Sequence, residues 1–185
     1  MLRRTFLAMS GFGLLAGCAL GGVNQSSDPR PVMTRSYDLR QFSFTAQEGL
    51  NVSEATNFYP SADVVWRGDP MGPRIPQIAT MFEAAAERNK AVLNGDVPVI
   101  VDIQLIRFHG VTELTRATVG GVYNIIFLLT VRDARTGTII EGPRRVVGNL
   151  DAPGGSGAVA LDQAGQTQRV RVTDFLTGLL RQQLS

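Results

Sequence analysis

Three residue types that build reactive sites are almost absent from this chain of 185 residues: it has one cysteine, Cys18, one histidine, His109, and one lysine, Lys90. A single cysteine cannot form an internal disulfide, and metal sites that draw on several histidine or cysteine ligands are excluded. A serine–histidine–carboxylate triad would have to use His109. The scarcity therefore removes most thiol, metal and histidine chemistry, and it makes the role of Cys18 the first question.

The start of the chain has the parts of a secretory signal peptide. Arg3 and Arg4 form a basic beginning, an apolar run follows over about residues 6–16, and Ala16 and Gly17 precede Cys18. The run is too short for a membrane span, which needs about 20 apolar residues. These features predict a cleaved export signal.

The stretch Leu15-Ala16-Gly17-Cys18 resembles the lipobox of bacterial lipoproteins. The resemblance implies that the chain is cut between Gly17 and Cys18, and that Cys18 is acylated on its thiol and on its new amino group. The alternative is an ordinary buried cysteine in an N-terminal helix. A glycine-interrupted run before a stretch of Gly, Ser, Asp and Pro predicts a poor core helix, so we expect Cys18 to be the lipid attachment site.

The segment Arg3-Arg4-Thr5-Phe6-Leu7 also resembles the twin-arginine export motif. The match is incomplete because Leu2 and Ala8 depart from the usual residues. The alternative is a general secretory signal that contains two arginines, and the sequence leaves both routes open.

Removal of residues 1–17 would change the charge of the protein. Two of the 18 basic residues lie in that segment, which leaves 16 basic residues against 16 acidic ones. A chain without net charge has no overall field that would attract nucleic acid, so we expect no nucleic-acid partner. The predicted organisation is a signal peptide over 1–17, a flexible tether over 18–35, rich in Gly, Ser and Pro, and one domain over 36–185.

Hydrophobic periodicity predicts strands and helices in the domain. Strands are expected at 37–47, 62–66, 97–109, 122–133 and 138–150, and helices at 75–93 and about 160–183. Both faces of 122–133 are apolar, which predicts a central strand covered on both sides. Residues 111–121 are expected to be a polar connector or strand edge, and the glycine-rich residues 151–158 a mobile surface loop. The order predicts an α+β fold with a largely antiparallel sheet of about five strands and two helices packed on one face.

Strand 97–109 carries the most unusual polar residues of the domain. Val99, Val101, Ile103 and Leu105 share one face, whereas Asp102, Gln104 and Phe108 lie on the other. Asp102 and Gln104 stand among apolar neighbours, which is explained either by partial exposure and hydrogen bonds to arginine side chains or by a ligand groove. If helices leave that face of the sheet uncovered, Asp102 and Gln104 mark a possible binding face.

Three segments, ADVVWRGDP, IVDIQLIRFH and TVGGVYNIIFLLTVRDARTG, resemble an uncharacterised family of envelope lipoproteins from alphaproteobacteria. The resemblance implies a fold and a location in the cell envelope, and it implies no catalytic residue.

We therefore expect a non-enzymatic envelope lipoprotein without a cofactor or a metal. It would be held in the bilayer through acylated Cys18 and would bind an envelope protein in transport or assembly. Ala19 follows the cysteine where an aspartate would favour the inner membrane, so the expected place is the periplasmic face of the outer membrane, with the inner membrane as the other possibility. The alternative function is a periplasmic hydrolase that uses His109 or a pair of carboxylates among Asp63, Asp69, Asp102 and Asp133.

Overall fold

The computed structural model describes residues 35–185. The expectations for Arg3, Arg4, Gly17 and Cys18, and for the tether that precedes Arg35, lie outside these residues. They therefore rest on the sequence.

The described residues form one α+β domain built on a sheet of five strands. The strands are β1 (Tyr37–Ala46), β2 (Val64–Val65), β3 (Val97–His109), β4 (Gly121–Asp133) and β5 (Ile139–Ala152). The main order across the sheet is β1-β3-β4-β5, and β2 pairs with the end of β3. The predicted fold class and the predicted number of strands are confirmed.

Strand direction differs between the two halves of the sheet. β3, β4 and β5 follow one another as antiparallel neighbours, which agrees with the largely antiparallel prediction. β1 and β2 instead run parallel to β3. A parallel neighbour needs a crossover connection, and helix α1 (Arg74–Lys90) lies in the chain between β1 and β3.

Two long helices cover one face of the sheet. α1 and α4 (Gln168–Leu184) pack against each other and share one core with the sheet. The ring centroids of Phe82 in α1 and Phe127 in β4 are 5.4 Å apart in an edge-to-face arrangement. The packing of apolar helix side chains against alternate strand residues explains why this face is buried.

Two short helices were not predicted. Residues 111–121 contain α2 (Glu113–Ala117), which begins at Thr112, whose side chain accepts a hydrogen bond from the backbone N–H of Thr115. The segment 151–158, which was expected to be a loop, contains the start of α3 (Gly155–Gln163). The single helix expected at about 160–183 is therefore divided between α3 and α4. Gly165, with a φ of +75°, lies in the turn between them, where it ends α3 in the manner of a C-terminal glycine.

A bulge changes the face of one predicted residue. Leu105 pairs with Phe127 and Arg107 pairs with Ile126, so Ile106 has no partner in β4. The extra residue shifts the alternation, and Phe108 therefore enters the core. The prediction that Phe108 lies on the same face as Asp102 is wrong for this reason.

The predicted bend at Gly142-Pro143 is present. Both residues lie opposite Thr130, because Leu129 pairs with Arg144 and Val131 pairs with Glu141. Gly142 has a φ of +99°, and a Cβ atom there would stand 2.5 Å from the carbonyl oxygen of Leu129. Glycine is needed because the backbone of β4 approaches too closely for a side chain.

Candidate functional site

Among residues 35–185, no helix lies over the centre of the sheet face opposite α1 and α4. Side chains from all four long strands form a shallow groove of about 520 Å³ there. The groove is lined by Ser43, Thr45, Asp102, Gln104, Leu128, Thr130, Arg132, Ile139 and Pro143. We call this surface the open face.

The prediction that β4 is covered on both sides is wrong for part of this surface, although Ile126 on the same face is buried. Phe127 is fully buried on the helix side, whereas its neighbour Leu128 is only half-buried. Val122, on the same face as Leu128, is 45% exposed. β4 therefore carries more apolar residues than one buried face requires, and the surplus faces the open side of the sheet.

Asp102 lies in the groove and forms a salt bridge with Arg132, as the expected alternative of hydrogen bonds to arginine side chains requires. Arg132 donates to both oxygens of its carboxylate, at 2.5 Å from Nε and 2.9 Å from Nη2, and the Ser43 hydroxyl donates at 2.6 Å. The hydrogen bond from Arg132 lowers the pKa of Asp102 below its ordinary range, against the opposing effect of burial. The carboxylate of Asp102 is therefore ionised near neutral pH, and Arg132 and Ser43 already donate to it. It holds these two side chains in place and is poorly suited to proton transfer.

Gln104 lies in the middle of a row that crosses the sheet. Thr45 of β1 pairs with Gln104, Gln104 pairs with Leu128, and Leu128 pairs with Arg145 of β5. Gln104 is exposed, and its amide group has no hydrogen bond to any residue between 35 and 185. The row thus offers a hydroxyl, an amide and a guanidinium group around one apolar side chain, in a spacing that strand pairing fixes.

His109 occupies the end of β3, away from the groove. Its Nδ1 lies 3.0 Å from Nη2 of Arg107 and 3.0 Å from the carbonyl oxygen of Ala62. Within residues 35–185, no serine hydroxyl and no carboxylate is hydrogen-bonded to the imidazole ring. The partners that a catalytic triad requires at a histidine are therefore not assembled around His109.

The four candidate carboxylates are also held by different partners. Asp63 accepts from the backbone of Asn51, and Asp69 accepts from Trp66 Nε1 at 2.8 Å. Asp133 closes the β4–β5 turn, where backbone N–H groups lower its pKa. None of these shares a hydrogen-bond partner with Asp102, and between residues 35 and 185 no three His, Cys, Asp or Glu side chains cluster in a way that would hold a metal ion.

A buried arginine pair near the start of α1 is a second feature that sequence reasoning missed. The side chains of Arg67 and Arg74 are each only 3% exposed. Arg74 forms two hydrogen bonds with Glu54, at 2.7 and 2.9 Å, and these lower the pKa of Glu54. Other donors of the two arginines reach backbone carbonyls of the surrounding loops and the side chains of Glu113 and Gln77, so the pair has the connections of a structural support.

In the described part of the chain, no helix combines the length and the apolar character that crossing a membrane requires.

Two solved structures resemble the chain distantly. A Xanthomonas campestris protein of the family DUF330 is 12% identical, with a TM-score of 0.43 over 84% of this chain and 87% of that one. A Caulobacter crescentus CB15 protein described as "a putative lipoprotein" is 16% identical, with a TM-score of 0.21 over 64% of this chain and 88% of that one. Similarity at this level carries neither fold nor function over to this chain.

No curated protein matches the sequence. One family model does match, and it spans residues 37–185, which include every strand and helix described above. The chain belongs to the family of unknown function DUF6778.

Proposed function

We propose that this protein is a non-enzymatic envelope lipoprotein that binds an envelope protein through the open face of its sheet. The observation that carries the proposal is the surplus of apolar side chains on that face. Leu128, Val122 and Ile139 remain half-buried or exposed, although the helix-covered face already supplies a complete core. Exposed apolar surface rimmed by polar groups is typical of a binding site.

The chemistry of the groove favours a protein segment as the occupant. Leu128, Ile139 and Pro143 offer contacts to an apolar side chain, and Thr45, Gln104 and Thr130 offer hydrogen bonds around them. The charge of Asp102 is already compensated by Arg132, so the groove has no spare acidic group for a cationic ligand. A partner with an apolar side chain between hydrogen-bonding groups satisfies this surface.

The partners that His109 and Asp102 have among residues 35–185 support a binding role. The imidazole of His109 contacts an arginine and a backbone carbonyl, and Asp102 is engaged by Arg132 and Ser43. His109→Ala is therefore expected to leave the cellular role of the protein intact. An activity that disappears with His109 while the fold persists would favour the hydrolase.

The proposed location in the cell envelope follows from the resemblance of the first 18 residues to a lipoprotein signal. Acyl chains on Cys18 would each contribute about 0.8 kcal/mol per buried methylene, and two or more chains make an anchor stable. Ala19 supports the periplasmic face of the outer membrane. Cys18→Ala is expected to abolish fatty-acid labelling and membrane fractionation, and a variant that stays in the membrane fraction would disprove the anchor.

Site-specific photo-crosslinking of the full chain in cells tests the binding face. A photoreactive residue at Thr45 or Gln104 is expected to crosslink one and the same envelope protein, identified by mass spectrometry. The matched control is Glu83, which is exposed on α1 on the opposite side of the sheet. The adduct should disappear with Leu128→Asp, and equal adducts from Glu83 would contradict the proposal.

A further inference from the structure

β5 forms an edge of the sheet, and most of its outer backbone groups have no partner among residues 35–185. It pairs with β4 without a bulge from Arg144 to Ala152. In the described part of the chain, backbone groups at 145–150 make no hydrogen bond outside that pairing, and the Asp151 carbonyl accepts from Arg171 at 2.5 Å. An edge of this kind is a template for a further strand.

The other edge of the sheet is blunted. β1 has a register shift at Arg40, and Asp38 forms an isolated bridge with Asn94. Bulges and charged residues are the usual ways to prevent edge pairing. The contrast singles out β5 as the edge that is open to a partner strand.

The sequence of β5 is complementary to itself. In an antiparallel pairing of two copies centred on Gly148, Arg145 of one copy lies opposite Asp151 of the other, because strand positions at equal distances from the centre face each other. Val146 then faces Leu150 on the helix side of the sheet. Arg145 and Asp151 are both exposed, and neither forms a salt bridge with a residue between 35 and 185.

This register is the only antiparallel self-pairing that brings the two charges together. Within one copy, Arg145 and Asp151 are six positions apart on the strand, or about 20 Å, too far to contact each other. Across a two-fold axis each charge meets its opposite twice, as an isologous interface requires. Charge complementarity therefore identifies a second copy of this chain as the occupant.

We propose that the protein forms a homodimer through antiparallel pairing of its β5 strands, centred on Gly148. The two sheets join into one continuous sheet. Opposed residues of antiparallel strands point to the same face, so the two open faces lie side by side and form one wider surface.

Cysteine crosslinking of the full acylated chain in membranes tests the register. Cys18 is the only cysteine of the chain, and acylation of its thiol under the proposed function leaves the introduced cysteines as the only free thiols. The double variant Val147→Cys/Asn149→Cys places a thiol opposite a thiol in the proposed dimer, and mild oxidation should give a disulfide-linked dimer. The control is Glu83→Cys/Glu87→Cys on the exposed side of α1, which should remain monomeric.

Charge reversal within the Val147→Cys/Asn149→Cys reporter then tests the complementarity. Arg145→Asp alone and Asp151→Arg alone are each expected to lower the crosslinked fraction by about tenfold, because like charges then face each other. The double reversal should restore it, which no role within one copy explains. Absence of the crosslinked dimer, or failure of the double reversal to rescue, would overturn the proposal, while the groove crosslink at Gln104 tests the proposed function separately.

Discussion

The two faces of the sheet differ in what covers them, although the same strands supply both. On one face, α1 and α4 bury a continuous set of apolar side chains from β3 and β4. On the other, a salt bridge, an exposed amide and half-buried apolar residues border a groove. The first face is what the fold needs for stability, and the second is free to serve another purpose.

β4 shows the contrast in two adjacent residues. Phe127 is fully buried against Phe82, whereas Leu128 points into the groove. Neighbouring positions on a strand face opposite sides, so a substitution at each changes one face only. The two residues therefore separate stability from binding within a single strand.

The largest expected effect belongs to the covered face. Phe127→Ala should lower the free energy of unfolding by about 3–5 kcal/mol, because it leaves a cavity in the packed core. Leu128→Ala should cost only about 1 kcal/mol, since that side chain is half-buried. Thermal unfolding of the full chain in detergent, followed by the fluorescence of its single, fully buried Trp66, measures both changes. Equal losses would contradict the distinction between the faces.

Two glycines, Gly148 in β5 and Gly178 in α4, differ in how closely other side chains approach them. A Cβ atom at Gly148 would stand 2.7 Å from Cδ2 of Leu179 and 2.9 Å from the ring of Phe175, on the covered side of β5. Gly148→Ala should therefore destabilise the fold by about 1–3 kcal/mol through overpacking. Gly178, in α4, has open space around it, so Gly178→Ala should raise the free energy of unfolding by up to about 1 kcal/mol. A matched pair of denaturant titrations would reveal these opposite signs.

On the open face the salt bridge predicts a smaller effect that depends on pH. Because Arg132 lowers the pKa of Asp102 in the folded state, the pair stabilises the fold above the unfolded-state pKa of about 3.9. That contribution is lost as the pH falls through the lower folded-state pKa. Asp102→Asn should cost at most about 1 kcal/mol at pH 7, and the difference from the wild type should close below about pH 4.

Asp174→Asn is the control for this pH dependence. Asp174 pairs with Arg88 on the helix side, where both side chains are more than half exposed, so the variant should change stability little at any pH. A loss for Asp102→Asn that is constant from pH 3 to pH 7 would show that the ionised carboxylate is not the stabilising form.

Much of the architecture could be predicted from periodicity. The alternation of Val99, Val101 and Ile103 identified β3, and the spacing of Ile78, Met81 and Phe82 identified α1, because burial imposes these periods on a sequence. The parallel direction of β1 could not be predicted, since it depends on where α1 returns the chain. The bulge that moves Phe108 into the core also left no local signal.

The site was predictable only in part. Asp102 and Gln104 were conspicuous as polar residues within an apolar strand. Arg132 and Ser43, which hold Asp102, come from other strands and become neighbours only through strand register. The apolar residues on both faces of β4 were visible in the sequence, but they predicted a second covering layer because hydrophobicity does not tell whether the cover belongs to the same chain.

We expect the open face to bind a partner and to be dispensable for folding. Thr45→Arg, which places a long charged side chain at the exposed rim of the groove, tests it in one chain. The expected unfolding temperature lies within about 2 °C of the wild type, as for a surface substitution, and the photo-crosslinked adduct from Gln104 should be lost. Glu83→Arg should preserve both. A Thr45→Arg chain that unfolds as the wild type does and still gives the full adduct would show that the partner does not bind at the groove.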